Sequence, residues 1–141
     1  MPVRKSTVTA RSCPVCGGTM RRRTRSRTIR YGTRSMAIRQ PAWWCEDCGE
    51  GVLDPGDAKI ADVAFATVKA DVEGLMTPAQ VAAARKRLGL SQRKAGEILG
   101  GGARAFQRYE SGAVVVSRPM ANLLRLLVRD PRRLREIVDA A

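Results

Sequence analysis

Histidine is missing from this chain altogether. That removes the commonest general base and counts against most familiar hydrolytic sites. No run of 18 apolar residues exists either, so no membrane span is expected. The opening segment, MPVRKSTVTARS, holds no apolar core of signal-peptide length. A cytoplasmic location is therefore expected, where disulfides are rare and a cysteine cluster more often binds metal. Acidic side chains are absent from residues 1 to 41, which carry 11 Lys/Arg.

What is present is positive charge. The 141 residues carry a formal net charge of +13, and such a field draws polyanions, making nucleic acid the leading partner class. The plainer alternative is that the charge only keeps the chain soluble. Its distribution is uneven. Residues 42 to 73 hold 2 basic and 8 acidic side chains, and residues 74 to 141 hold 13 basic and 5 acidic. A length of 141 residues fits one ordinary domain or two small ones. The basic–acidic–basic order favours two units joined by a piece with another job.

Four cysteines form two CxxC pairs, Cys13 and Cys16 in CPVC and Cys45 and Cys48 in CEDC. Four thiolates satisfy a tetrahedral zinc ion, and a two-residue gap lets each pair hold the metal from one tight turn. Gly17 and Gly49 follow the second cysteine of each pair, which suits such a bend. The 28 residues between the pairs, 17 to 44, are enough for a β-hairpin. A unit of about 40 residues has too small a core to stand alone, and one structural Zn2+ would supply the missing free energy. A redox CxxC or free buried thiols are the competing readings. Four filled positions leave none open for a catalytic water, so no enzyme is expected.

Between the pairs, Arg21, Arg23, Arg25 and Arg27 alternate with Arg22, Thr24, Ser26 and Thr28. Period two with β-branched residues predicts a strand with an arginine face. Tyr31-Gly32-Thr33 reads as the turn and Ser35 to Arg39 as the return strand. The arginines either track phosphates or keep the hairpin soluble. Of Trp43 and Trp44, one is expected to cover the metal cluster. Next, Asp54-Pro55 predicts a helix start, and Ile60, Val63, Ala64, Val68 and Val72 continue it to about residue 73, before Gly74. This acidic helix either packs on its neighbours or docks a protein partner.

From Thr77 onward the pattern predicts five short helices: TPAQVAAARKRLGL, SQRKAGEIL, ARAFQRYES, SRPMANLLRLLVRD and PRRLREIVDA. The second and third, joined through Gly100-Gly101-Gly102, have the form of a helix-turn-helix. On the third, Phe106 is the natural core anchor, while Arg104, Gln107, Arg108 and Ser111 share the other side. Arginine reads guanine O6/N7 and glutamine reads adenine N6/N7, so Arg104, Gln107 and Arg108 are the expected base readers. Gly102 permits close approach of the helix start to a phosphate. Ser91 and Gln92 are expected at phosphates, holding register. Arg93 and Lys94 are expected to contribute general attraction to the backbone.

The fold class expected is α+β: a small zinc-bound β-hairpin domain, a connector helix and a C-terminal five-helix helix-turn-helix domain. The boundaries read as a flexible basic tail over residues 1–12, a zinc-binding domain over 13–54, a connector over 55–76 and a DNA-binding and dimerisation domain over 77–141. A two-fold DNA site needs a two-fold protein, so a homodimer is expected. Leu123, Leu124, Leu126, Leu127, Leu134, Ile137 and Val138 offer more apolar surface than one small bundle needs.

The order SQ followed by FQRYESG resembles the lambda-repressor/Cro-like helix-turn-helix family. Together with CPVC and CEDC upstream, LGGGARAFQRYESG resembles the MqsA antitoxins with their YgiT-type zinc finger, over nearly all of residues 13 to 138. The resemblance implies that the zinc domain binds and neutralises an mRNA-cleaving ribonuclease toxin. It also implies a dimeric C-terminal domain that binds a palindromic operator and represses its own operon. The family's zinc ligands carry over to Cys13, Cys16, Cys45 and Cys48, and its principal base readers to Arg104 and Arg108. The family usually has asparagine at the position of Arg104, so a guanine preference would replace adenine readout there. The basic excess over residues 1–41 sits awkwardly with a ribonuclease partner, itself usually basic. The alternative is a stand-alone or phage-type repressor without a toxin.

Overall fold

The computed structural model describes residues 9–140, with Met1–Val8 and Ala141 outside the description. Four antiparallel strands, β1 (Arg11–Ser12), β2 (Thr19–Tyr31), β3 (Arg34–Cys45) and β4 (Gly51–Val52), form one sheet in the order β1-β2-β3-β4. Most of it is the β2–β3 hairpin, paired without interruption from Met20↔Cys45 to Tyr31↔Arg34. Gly32, at φ +55°, supplies the positive φ that a two-residue hairpin turn needs. The return strand is longer than the expected Ser35 to Arg39. It runs through Pro41 to Cys45 because β2 pairs with it the whole way, while β4 pairs only with Trp43 and Trp44. Pro41 therefore lies on an open edge, where its missing N–H costs nothing.

The expected flexible tail needs correction at its end. Residues 1–8 lie outside the described residues, but Arg11 and Ser12 are strand, paired with Met20 and Thr19. Arg11 is held there by stacking on Trp43, 4.1 Å from the ring centroid, and by an ion pair to Asp54 at 3.0 Å.

Helix α1 (Pro55–Glu73) has the bounds its local signals predict. Pro55 opens it after Asp54, and Gly74 closes it in the left-handed conformation at φ 67°. It lies along the hairpin from the cysteine end to the turn. At one end the Arg22 guanidinium donates to both Asp57 oxygens at 2.6 and 2.8 Å, and the Gln40 amide donates to the Asp57 carbonyl at 3.1 Å. At the other end the Tyr31 hydroxyl donates to Glu73 at 2.6 Å, and the Tyr31 ring meets Phe65 edge-on.

The C-terminal bundle comprises α2 (Pro78–Arg87), α3 (Gln92–Leu99), α4 (Ala105–Glu110), α5 (Arg118–Arg129), a 3-10 turn (Pro131–Arg133) and α6 (Leu134–Ala140). Thr77, Ser91 and Ser117 cap α2, α3 and α5, each side-chain oxygen accepting a backbone N–H in the first turn. Phe106 and Leu124 are fully buried, with Val81, Ala84, Ala95 and Ala121 around them. No helix of the described residues is long and apolar enough to cross a membrane.

Candidate functional site

The two cysteine turns are built alike. Cys13 N–H donates to the Gly18 carbonyl at 2.7 Å, and Cys45 N–H donates to the Glu50 carbonyl at 2.8 Å. Gly17 and Gly49 share φ +75°, a conformation that a residue with a Cβ rarely adopts. The first cysteine of each pair is buried and the second exposed. Long-range pairing of Met20 with Cys45 brings the two turns together at one end of the hairpin.

All four sulfurs then lie within 4.8 Å of one another, with Cys16 to Cys45 at 3.5 Å and Cys13 to Cys48 at 3.7 Å. A tetrahedron with metal–sulfur bonds of about 2.3 Å has edges of roughly 3.8 Å. The cluster therefore fits one four-coordinate ion, and four soft thiolates fit a structural zinc. Backbone N–H groups of Val15 and Gly18 donate to the Cys13 and Cys16 sulfurs at 3.4 Å, support that favours thiolates. The N–H of Cys48, opposed by burial and assisted by the N–H of Asp47, lowers the Cys45 thiol to about 7. Cys48, although the Glu50 N–H lowers it, is pushed up to about 12 by the Cys16 thiol, burial and Cys45. Four thiols this close do not all ionise unaided, and a central cation removes that conflict.

Trp43 covers the cluster, as expected of one of the two tryptophans. It is 4% exposed, packs with Cys13, Met20 and Cys45, and donates its indole N–H to Asp54 at 3.0 Å. Trp44 is half-buried, with the Arg25 guanidinium 4.4 Å above its ring. Arg21 and Arg23 both reach Glu46, at 3.2 and 3.1 Å. Arg25, Arg27, Arg30, Arg34 and Arg39 are exposed and have no carboxylate partner among the described residues.

In the bundle, α3 and α4 meet across the glycine triplet. Gly100, Gly101 and Gly102 have φ of 109°, 91° and 92°. A Cβ on Gly96 of α3 would lie 1.9 Å from the Gly102 carbonyl oxygen, so the turn closes against bare backbone. Arg104 stands at the N-cap of α4 rather than inside a helix beginning at residue 103, because the triplet delays the first helical turn. Arg104 and Arg108 are exposed and line one shallow concavity of about 180 Å³ with Gly101, Tyr109 and Val114. Gln107 is exposed on the same short helix, and Gly102 is exposed in the turn.

At the start of α3, Ser91 is exposed and its oxygen accepts the Lys94 N–H at 3.1 Å. Gln92 is half-buried, Lys94 is exposed, and Arg93 pairs with Glu97 at 2.9 Å. The component missing from the sequence reading is Arg85. Its Nε and Nη2 donate to the two Glu110 oxygens at 2.9 and 2.8 Å, and its Nη1 donates to the Leu90 carbonyl at 2.8 Å. The bond to Glu110 raises the Arg85 pKa further above its already high ordinary value. This pair fastens α4 to α2. A signal was available, since Glu110 is the one acid between residues 98 and 129.

The family model described as the antitoxin component of a bacterial toxin-antitoxin system, MqsA, matches residues 11–138. The chain is 39% identical over 98 residues to Antitoxin MqsA of Escherichia coli (strain K12), an alignment covering 67% of this chain and 72% of that relative. With the clustered cysteines at one end and the helical bundle at the other, the chain belongs to the MqsA antitoxin family.

Proposed function

We propose that this antitoxin works as a zinc-stabilised, dimeric DNA-binding repressor of its own operon, and that its N-terminal half binds and neutralises a ribonuclease toxin. The observation that supports the DNA half most is the exposed trio Arg104, Gln107 and Arg108 at a helix start behind a bare-backbone turn. Arg104 and Arg108 would each read guanine and Gln107 adenine, with Ser91, Gln92, Arg93, Lys94 and Gly102 at phosphates. The operator would be palindromic, since one such helix reads only a few base pairs. Zinc is the metal favoured by four thiolates in a closed site, where it holds structure and leaves no position for substrate.

The dimer contact would use the apolar surface that the bundle core leaves over. Leu124 and Leu127 are buried, but Leu126 is 61% exposed and Val138 45%. Leu123, Leu126 and Ile137 line a groove of about 500 Å³ on that side.

Fluorescence anisotropy with the chain's own promoter tests the DNA half. Arg108→Ala is expected to cost about 1–3 kcal/mol on the operator and to relax sequence preference. An equal loss on operator and random duplex would sink specific readout. Co-expression with the product of the neighbouring small reading frame tests the toxin half. Failure of that product to co-purify would favour the stand-alone repressor, which the unpaired hairpin arginines also favour over a basic ribonuclease partner.

A further inference from the structure

A cavity of about 550 Å³ lies where the end of α1, the Leu75–Met76 connector, α2 and α5 converge. Its volume is in the range of small-molecule sites, about 300–1,000 Å³. Its wall includes Met76 and Ala84, both buried, and the half-buried Val128. Three guanidiniums, Arg87, Arg125 and Arg129, also line it, against one acid, Asp71. The Arg87 Nε donates to the Val128 carbonyl at 3.1 Å, and the Arg125 Nη2 donates to the Gly74 carbonyl at 2.9 Å. Those bonds fix two of the cations at the cavity and leave the terminal nitrogens of Arg87 unused. Arg129 has no polar partner among the described residues, and Asp71 forms no ion pair there.

We propose that this cavity binds a small amphipathic organic anion. An apolar body would rest on Met76, Ala84 and Val128, and a carboxylate or sulfonate would be held by Arg87 and Arg129. A bare inorganic ion would leave the apolar wall unused, and an uncharged apolar molecule would leave the cations unanswered. Charge-assisted bonds from a planar guanidinium fork suit an oxyanion of this kind. The occupant would touch α1 and α5 together, and so tie the sheet half of the chain to the helical bundle. The inference is independent of any DNA or toxin partner.

The test uses the full, zinc-loaded chain and two probes sharing a ring system, 8-anilinonaphthalene-1-sulfonate and N-phenyl-1-naphthylamine, which lacks the sulfonate. The sulfonate is expected to bind at one site, about 10-fold or more tighter than the uncharged probe. Amide shifts on titration should centre on residues 74–76, 83–87 and 125–129. Arg87→Gln with Arg129→Gln should weaken the sulfonate about 10-fold, and Arg129→Gln alone should weaken it without changing the melting temperature. Ala83→Phe, which fills the cavity from an exposed position on α2, should also abolish it, and decides the matter should the double variant fold poorly. Equal affinity for both probes, binding that survives Ala83→Phe, or shifts centred on Leu123, Ile137 and Val138 would overturn the proposal.

Discussion

Removing the Glu110 carboxylate should damage this protein more than removing any surface charge. Arg85 and Glu110 are 11% and 10% exposed at the side chain, and every guanidinium nitrogen of Arg85 already has its acceptor inside the fold. Glu110→Ala would leave that cation buried between α2 and α4 with only the Leu90 carbonyl as partner. Breaking a buried pair from one side costs about 3–5 kcal/mol. A small domain has about 5–15 kcal/mol of stability in total, so a large share would be lost. Glu110→Gln keeps one acceptor for the guanidinium and should cost less, about 2 kcal/mol. Arg85→Met combined with Glu110→Leu removes both charges and their desolvation together, so the double variant should be close to the starting stability.

The assay is urea denaturation of the zinc-loaded chain, followed by the helical circular dichroism signal. The single changes should lower the midpoint sharply, and the double change should recover most of the loss. Single changes worth less than about 0.5 kcal/mol, or a double change as destabilising as Glu110→Ala, would refute the reasoning.

Three further outcomes are expected. Gly96→Ala should destabilise by about 1–3 kcal/mol and weaken operator binding, since the new Cβ meets the Gly102 carbonyl and not a side chain that can move; unchanged urea midpoint and affinity would count against the tight turn. Chelation of zinc, or Cys45→Ser, should red-shift tryptophan emission while the bundle helices persist, because Trp43 and Trp44 are the only tryptophans and Trp43 packs on the cysteines. Asp57 is held below the ordinary value of 3.8 chiefly by its bond to Arg22, so its contribution should be complete above that value and lost as pH falls below it through the lowered native value. Melting temperature followed from neutral pH down to about pH 3 should therefore drop less steeply in Asp57→Asn.

Much of this fold is written in local signals. Asp54-Pro55 and Gly74 bound α1 because a cap and a left-handed terminator act within one turn of the helix. Thr77-Pro78, Ser91 and Ser117-Arg118-Pro119 work the same way. The cysteine cluster was legible because metal-ligand spacing is a property of the chain itself. What could not be read depends on tertiary placement. Pro41 looks like a strand breaker until the sheet edge is known, and Arg104 looks helical until the glycine triplet is seen to delay α4. Arg22 and Asp57 are 35 residues apart, and Arg85 and Glu110 are 25. No periodicity links residues at such separations.

Those pairs change the meaning of the acidic middle segment. As a string, eight acids over residues 42 to 73 invite a docking surface for a basic partner. In the fold several of them are already engaged. Glu46 receives Arg21 and Arg23, Asp54 receives Arg11 and Trp43, Asp57 receives Arg22, and Glu73 receives Tyr31. Charge already matched inside the fold in this way adds less to the attraction for an outside cation. Glu46, Asp54 and Asp57 thus serve as internal counter-charge to the arginines of the first two strands, and Asp57 ties α1 to the hairpin. The cations left without a carboxylate partner among the described residues, Arg25, Arg27, Arg30, Arg34 and Arg39, are what the N-terminal half presents outward. A partner for this half is therefore expected to bring acidic groups of its own, whether from a toxin surface or from a phosphate backbone.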